Sequence, residues 1–149
     1  MAFPFTIEFN EKLQIDHTKI SEDELLLSIE NYLDKNHATE IRKENNIIRF
    51  KSFHYKGTSS PFMGIDKGEF SLEKIDGDYN LKYKFYYVQM IILYTSFLIG
   101  ISILSGHPEF GILGFIFLVV GGILFSISRQ STTYYKIIDL LNPKFNRPK

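Results

Sequence analysis

The side chains best suited to bind a metal ion are four histidines, which are scattered along the sequence at His17, His37, His54 and His107. Metal sites need ligands that cluster, often as His-x-x-His or His-Glu-x-x-His, and neither pattern occurs. The chain has no cysteine, which excludes disulfides and thiolate chemistry. We therefore predict no metal site, and no motif indicates a cofactor.

Paired carboxylates, which could act as general acids and bases, occur at Glu22-Asp23-Glu24 and at Asp76 and Asp78. The first group begins a predicted helix and the second flanks a predicted turn, so structural roles account for both. General acid–base catalysis also requires a positioned substrate, and no motif supplies a nucleophile or a desolvated pocket. We predict no catalytic residues and no enzymatic activity.

The segment 56–67 has the Gly, Ser and Pro content of a loop. Its Gly57-Thr58-Ser59-Ser60 run could offer amides to a phosphate, but it lacks the Gly-Lys-Ser/Thr order of a P-loop. Phe62 and Met63 are unusually apolar for a loop. They are predicted to contact a partner surface or, alternatively, to fold back and complete a small core.

The elements that would position these residues form a predicted α+β domain over residues 1–84. Its chain order is β-α-β-β-β-β, a small antiparallel sheet with one helix. The helix signal is the strongest: Ser21 and Glu24 form a capping box, and apolar residues at helical spacing follow it up to a predicted end near Asn36.

Asp76-Gly77 predicts a two-residue β-hairpin turn between strands 69–75 and 78–85. A two-residue turn pairs Phe70 with Tyr83 on one face. A slip of one residue would mix apolar and charged side chains on each face, so the two-residue register is favoured.

Two apolar runs follow, at 85–104 and 110–127, and only Glu109 is charged between Lys84 and Arg129. As helices these runs would be roughly 30 and 27 Å long, close to the thickness of a bilayer core. The sequence therefore predicts a transmembrane helical hairpin over 85–128.

The charges that flank the predicted hairpin indicate its orientation. Lysine and arginine occur on both outer sides, and the connection 105–109 has neither. The positive-inside rule predicts a two-pass protein of the plasma (inner) membrane, with both termini cytoplasmic and 105–109 outside. The predicted interface anchors are Lys82, Lys84, Tyr86, Tyr87, Arg129, Tyr134, Tyr135 and Lys136.

The segment 129–149 is predicted to be a short amphipathic helix with a basic tail, which lies at the membrane interface or docks on the domain. It carries a net charge of +4, whereas residues 1–84 carry −3 and residues 85–128 carry −1. The acidic domain disfavours nucleic acid as a partner, because phosphate backbones require basic surfaces. A lipid bilayer is the predicted partner.

Small residues in the apolar runs predict close helix contacts, because small side chains let helix backbones approach. Gly100 and Gly114 are expected to meet at similar depth. The same residues could serve the hairpin alone, or one face of them could contact a second copy or another membrane protein. The residues concerned are Ser96, Gly100, Gly114, Gly121, Gly122 and Ser126.

The sequence favours a membrane-anchored interaction or assembly module with its domain at the cytoplasmic face. The alternative is an oligomeric pore-forming or membrane-disrupting effector gated by that domain, with Gln89 and Ser96 facing inward. A membrane-surface enzyme is a third hypothesis, without a supporting motif.

Overall fold

The structure is a computed structural model that describes residues 6–13, 15, 20–52, 60–62, 65–106, 114 and 116–145. Five strands form one antiparallel sheet in the order β1-β5-β4-β3-β2. The elements are β1 (Thr6–Lys12), α1 (Glu22–Lys35), β2 (Thr39–Glu44), β3 (Ile47–Lys51), β4 (Lys67–Ile75), β5 (Asp78–Tyr86), α2 (Val88–Ser105), a π-helical segment (Ile116–Val120) and α3 (Gly121–Phe145).

The start of α1 confirms the predicted capping box. The Ser21 hydroxyl accepts from the Glu24 amide at 3.3 Å, and the Ser21 amide donates to the Glu24 carboxylate at 3.2 Å. Two backbone amides that no helical carbonyl could reach are thereby satisfied. The helix then buries one stripe of apolar residues and ends at Asn36.

The β4–β5 hairpin confirms the predicted two-residue turn, because Ile75 pairs with Asp78 and Phe70 pairs with Tyr83. Buried and partly exposed residues alternate along β5. One face of the sheet is therefore apolar and buried, and the opposite face is polar and open to solvent.

The hydrophobic core lies between the buried face of the sheet, α1 and the second half of α3. Its centre is aromatic: the Tyr83 ring stacks on Phe70 with centroids 4.3 Å apart, and Tyr134 of α3 stacks on Phe9 at 5.5 Å. Phe62 packs edge-on against Phe50 at 4.7 Å and is fully buried. Of the two roles predicted for Phe62, the structure shows the one in which it folds back into the core. Met63 lies outside the described residues.

The predicted fold class was wrong in its two-helix transmembrane hairpin. Among the residues that the structure describes, no helix is both long and apolar enough to cross a membrane. What the structure contains is a five-stranded antiparallel sheet with three α-helices in its described part.

The predicted second span, 110–127, is not a helix of its own. Its last part forms the π-helical segment and then the first turns of α3, which continues without interruption through the charged Arg129 to Phe145. The tail predicted as a separate amphipathic helix is the second half of this 25-residue helix. Residues 107–113 lie outside the described residues, and so does most of the predicted outer connection.

The absence of a membrane-spanning helix from the described residues also overturns the predictions that rested on one. The two-pass plasma-membrane localisation is not supported, nor is an integral membrane protein with cytoplasmic termini. The predictions of a membrane-anchored module and of a pore-forming effector required the same hairpin, so they are wrong as well.

Candidate functional site

The most unusual surface of the molecule is a set of large apolar side chains that no part of the described chain covers. They occupy α2, the π-helical segment and the first turns of α3, and we call them the apolar helical surface. Its members are Ile92, Phe97, Ile99, Ile101, Ile103, Leu104, Phe117, Val120, Leu124 and Phe125. Their exposed fractions run from 40% at Ile101 to 90% at Leu104. Large apolar patches exposed on a folded chain are typical of interaction sites.

The two helices that carry this surface pack tightly on each other along a different side. Leu98 and Val119 are almost fully buried there. A Cβ atom built at Gly122 would lie 3.2 Å from the Tyr94 ring, and one at Gly114 would lie 3.1 Å from Leu98. Glycine at these two positions therefore allows the close approach of α2 and the following segment.

Gly100 and Gly121 differ from the packed glycines. A Cβ atom at either position would meet no other atom within 4 Å. The predicted contact between Gly100 and Gly114 does not form, because Gly114 faces Leu98. Within the described chain, these two glycines leave room for something else to approach.

The predicted contact serines also separate into two environments. Ser96 is exposed on α2, whereas Ser126 is buried and adjoins a void of only about 10 Å³ between the helices. The side chain of Gln89 lies outside the described part of the chain.

A buried polar cluster fastens the middle of α3 to the sheet and to the segment 60–62. The Tyr83 hydroxyl donates to the Gln130 side-chain oxygen at 2.8 Å, and the Gln130 amide nitrogen donates to the Pro61 carbonyl at 3.1 Å. Arg129 donates to the Ser60 carbonyl at 2.7 Å. Tyr83 and Gln130 are fully buried, so each bond replaces one that water can no longer supply.

The residues predicted as interface anchors are dispersed over the structure. Tyr134 and Tyr87 are buried in the core, and the Tyr134 hydroxyl donates to the Leu81 carbonyl at 2.6 Å. Lys82 pairs with Glu73 on the open face of the sheet at 2.8 Å. The remaining members are Lys84 and Tyr86 on that face, Arg129 at the Ser60 carbonyl, and the exposed Tyr135 and Lys136 of α3.

Gln130 is a structurally important residue that the sequence reasoning missed. Because Gln130 is polar and directly follows Arg129, its local sequence indicates the start of a solvent-exposed tail. The available signal was its spacing of four residues from Tyr134, which places both on one side of a helix.

Burial raises the pKa of Tyr83 well above the ordinary value, and burial followed by the charge of Glu11 raises the pKa of Tyr134. Above about pH 10 an unfolded tyrosine loses its proton while these two keep theirs. Unfolding free energy should therefore fall above pH 10, by about 1.4 kcal/mol per pH unit for each tyrosine that stays protonated.

This alkaline loss can be measured by urea unfolding between pH 9 and pH 11. Tyr134→Phe should make the fall of unfolding free energy with pH less steep by about 1.4 kcal/mol per pH unit, because one titrating group is removed. Tyr135→Phe, at the exposed neighbouring position, should leave the slope unchanged. Equal slopes in all three proteins would contradict the assignment.

No group of three or more His, Asp or Glu side chains suited to hold a metal occurs among the residues placed by the structure. Comparison with protein-family models, with curated proteins and with solved structures gives no significant match.

Proposed function

We propose that this chain is an assembly module that binds a second copy of itself through the apolar helical surface. The observation that carries the proposal is the exposure of that surface, with Phe97 61% and Phe125 65% exposed. Burying a side chain of this size contributes about 1.5–3 kcal/mol. Several such side chains in one contact can offset the entropy cost of association.

The character of the surface favours a second copy as the occupant. No charged residue lies between Lys84 and Glu109 or between Glu109 and Arg129, so a partner needs a surface that is apolar and uncharged. The chain itself supplies such a surface. In a two-fold symmetric contact the same patch serves both copies. Gly100 and Gly121 give open positions where the second copy can approach the helix backbones.

The proposal is tested by sedimentation velocity of the full chain in buffer without detergent. The wild-type chain should sediment as a dimer or larger assembly. Phe97→Glu should weaken this association at least tenfold, because it places a charge in the contact. The matched control is Leu27→Glu, which changes a residue 54% exposed on α1, away from the surface, and should leave association unchanged.

Three outcomes would contradict the proposal. The wild-type chain could be monomeric at all concentrations, or both variants could associate equally. The chain could also float with lipid vesicles and remain in the supernatant only when detergent is present, which would assign the surface to lipid.

A further inference from the structure

A cleft of about 400 Å³ lies on the sheet, at the end where β3 finishes and β4 begins. It is lined by four cationic and two acidic side chains, so the lining has a net charge of +2. Its charged members are Arg42, Arg49, Lys51, Lys67, Glu40 and Glu69. Pockets that hold small ligands have volumes of roughly this order.

The strand register places like charges directly opposite each other in this cleft. Arg42 pairs across the strands with Arg49, and Lys51 pairs with Lys67. Side chains in such pairs lie about 5 Å apart, and like charges there are destabilising. Elsewhere on the same face opposite charges are paired, as for Glu8 and Lys84. The cleft thus combines two pairs of like charges with one pair of opposite charges, Arg49 and Glu69.

Internal ion pairs neutralise only part of this charge. Arg49 is held by Glu44 and by Glu69, the latter at 2.8 Å, and Lys51 is held by Glu40 at 2.7 Å. Arg42 and Lys67 form no ion pair within the described part of the chain. The hydrogen bond from Lys51 lowers the pKa of the nearby Glu40 carboxyl and the charge of Arg42 helps to lower it, but that carboxylate forms its ion pair with Lys51.

The backbone at the rim is shaped irregularly. A β-bulge interrupts the pairing between Thr39 and Arg42, and Glu40 within it has a φ of 48°, which a residue with a side chain rarely adopts. Bulges redirect side chains and are frequent beside binding sites. Here the bulge turns Glu40 to Lys51 and leaves Arg42 on the cleft wall.

Lys67 is held in place by an aromatic ring. Its ammonium group lies 4.4 Å from the centroid of the Tyr86 ring, within the range of a cation–π contact. Tyr86 also lines the cleft. The ammonium group is therefore held at the β5 side of the cleft, and it must leave the ring to share a phosphate with Arg42 on β2.

We infer that this cleft binds a small ligand that carries a phosphate group, held by the guanidinium of Arg42 and the ammonium of Lys67. A guanidinium offers a planar pair of donors that fits phosphate oxygens, and an ammonium adds a point charge. Three carboxylates, including Glu44 at Arg49, offset part of the four cationic charges, and a phosphate would relieve the repulsion that is left within the like-charged pairs. The site is separate from the apolar helical surface and does not depend on the proposed assembly.

The test is a titration of the ¹⁵N-labelled full chain with inorganic phosphate and with pyrophosphate, followed by amide chemical shifts. Ionic strength is held constant with sodium chloride. Saturable shifts are expected at amides of β2, β3 and the start of β4. Arg42→Gln and Lys67→Gln should each weaken the affinity about tenfold or more.

The matched control is Lys74→Gln. Lys74 lies on the same sheet and also faces a tyrosine ring, that of Tyr79 at 5.7 Å, but it is outside the cleft. This variant should bind like the wild-type chain. Shifts that fail to saturate with either anion would overturn the inference, as would an equal loss of affinity in Lys74→Gln.

Discussion

Replacing Tyr134 with alanine is expected to lower the free energy of unfolding by about 3–5 kcal/mol, the range for large buried aromatic residues. The ring is almost fully buried and stacks on Phe9 and Tyr83. Its hydroxyl also satisfies the Leu81 carbonyl. The substitution therefore leaves a cavity between α3 and the sheet, and it removes a buried hydrogen bond.

Urea unfolding followed by circular dichroism measures this loss. Tyr135→Ala is the control, because the neighbouring ring is 50% exposed and should cost well under 1 kcal/mol. Tyr134→Phe should fall between them, at about 1 kcal/mol, since it removes only the hydrogen bond. If Tyr134→Ala and Tyr135→Ala were equally stable, α3 would not be docked as described.

The second large effect is an expected contrast between two adjacent glycines. Gly122→Leu should destabilise the chain by about 1–3 kcal/mol, because its side chain would overlap the Tyr94 ring and force α2 and α3 apart. Gly121→Leu meets open space within the chain, so the fold should retain its stability. It should instead weaken self-association at least tenfold by holding the second copy away.

Unfolding and sedimentation measured on the same two proteins separate these roles. We expect Gly122→Leu to lose stability and Gly121→Leu to lose association. A Gly121→Leu chain that is as stable and as associated as the wild type would show that this glycine lies outside the contact.

Local rules were sufficient where neighbouring residues settle the structure. The capping box of Ser21 and Glu24 and the Asp76-Gly77 turn follow from hydrogen bonds and backbone geometry within a few residues. Alternation along β5 then fixed which face is buried, because a slip of one residue would expose the apolar side chains.

The transmembrane hairpin could not be judged correctly from hydropathy. An apolar run indicates that side chains avoid water, and it does not indicate what covers them. Helix α3 continues past Arg129 and Gln130 because the carbonyls of Ser60 and Pro61, about seventy positions earlier, accept their hydrogen bonds. A stretch of a few neighbouring residues does not reveal such distant partners. The sequence therefore predicts an apolar helix and a separate tail helix where the structure has one helix.

The cleft was missed for a similar reason. Arg42 and Lys51 lie on the two strands of one hairpin, and the pairing of β3 with β4 then brings Lys67 beside them. The register of Arg42 with Arg49 follows from the two-residue turn at Asn45-Asn46, but no local signal specifies how β3 pairs with β4.

Helix α3 connects the apolar helical surface to the hydrophobic core beneath the sheet. Its first turns carry part of the apolar helical surface, and its second half lies in the sheet core. The 25 residues form one continuous helix, which spans both regions.

The central claim, that the apolar helical surface contacts a second copy, is tested most directly by an intermolecular distance. The chain has no cysteine, so Ser128→Cys, at an exposed position of α3 just after the apolar helical surface, provides a unique site for a nitroxide label. Double electron–electron resonance of this protein without detergent should give a defined distance between labels that disappears when unlabelled chain is added in excess. A chain that shows no intermolecular dipolar coupling at any concentration would contradict the claim.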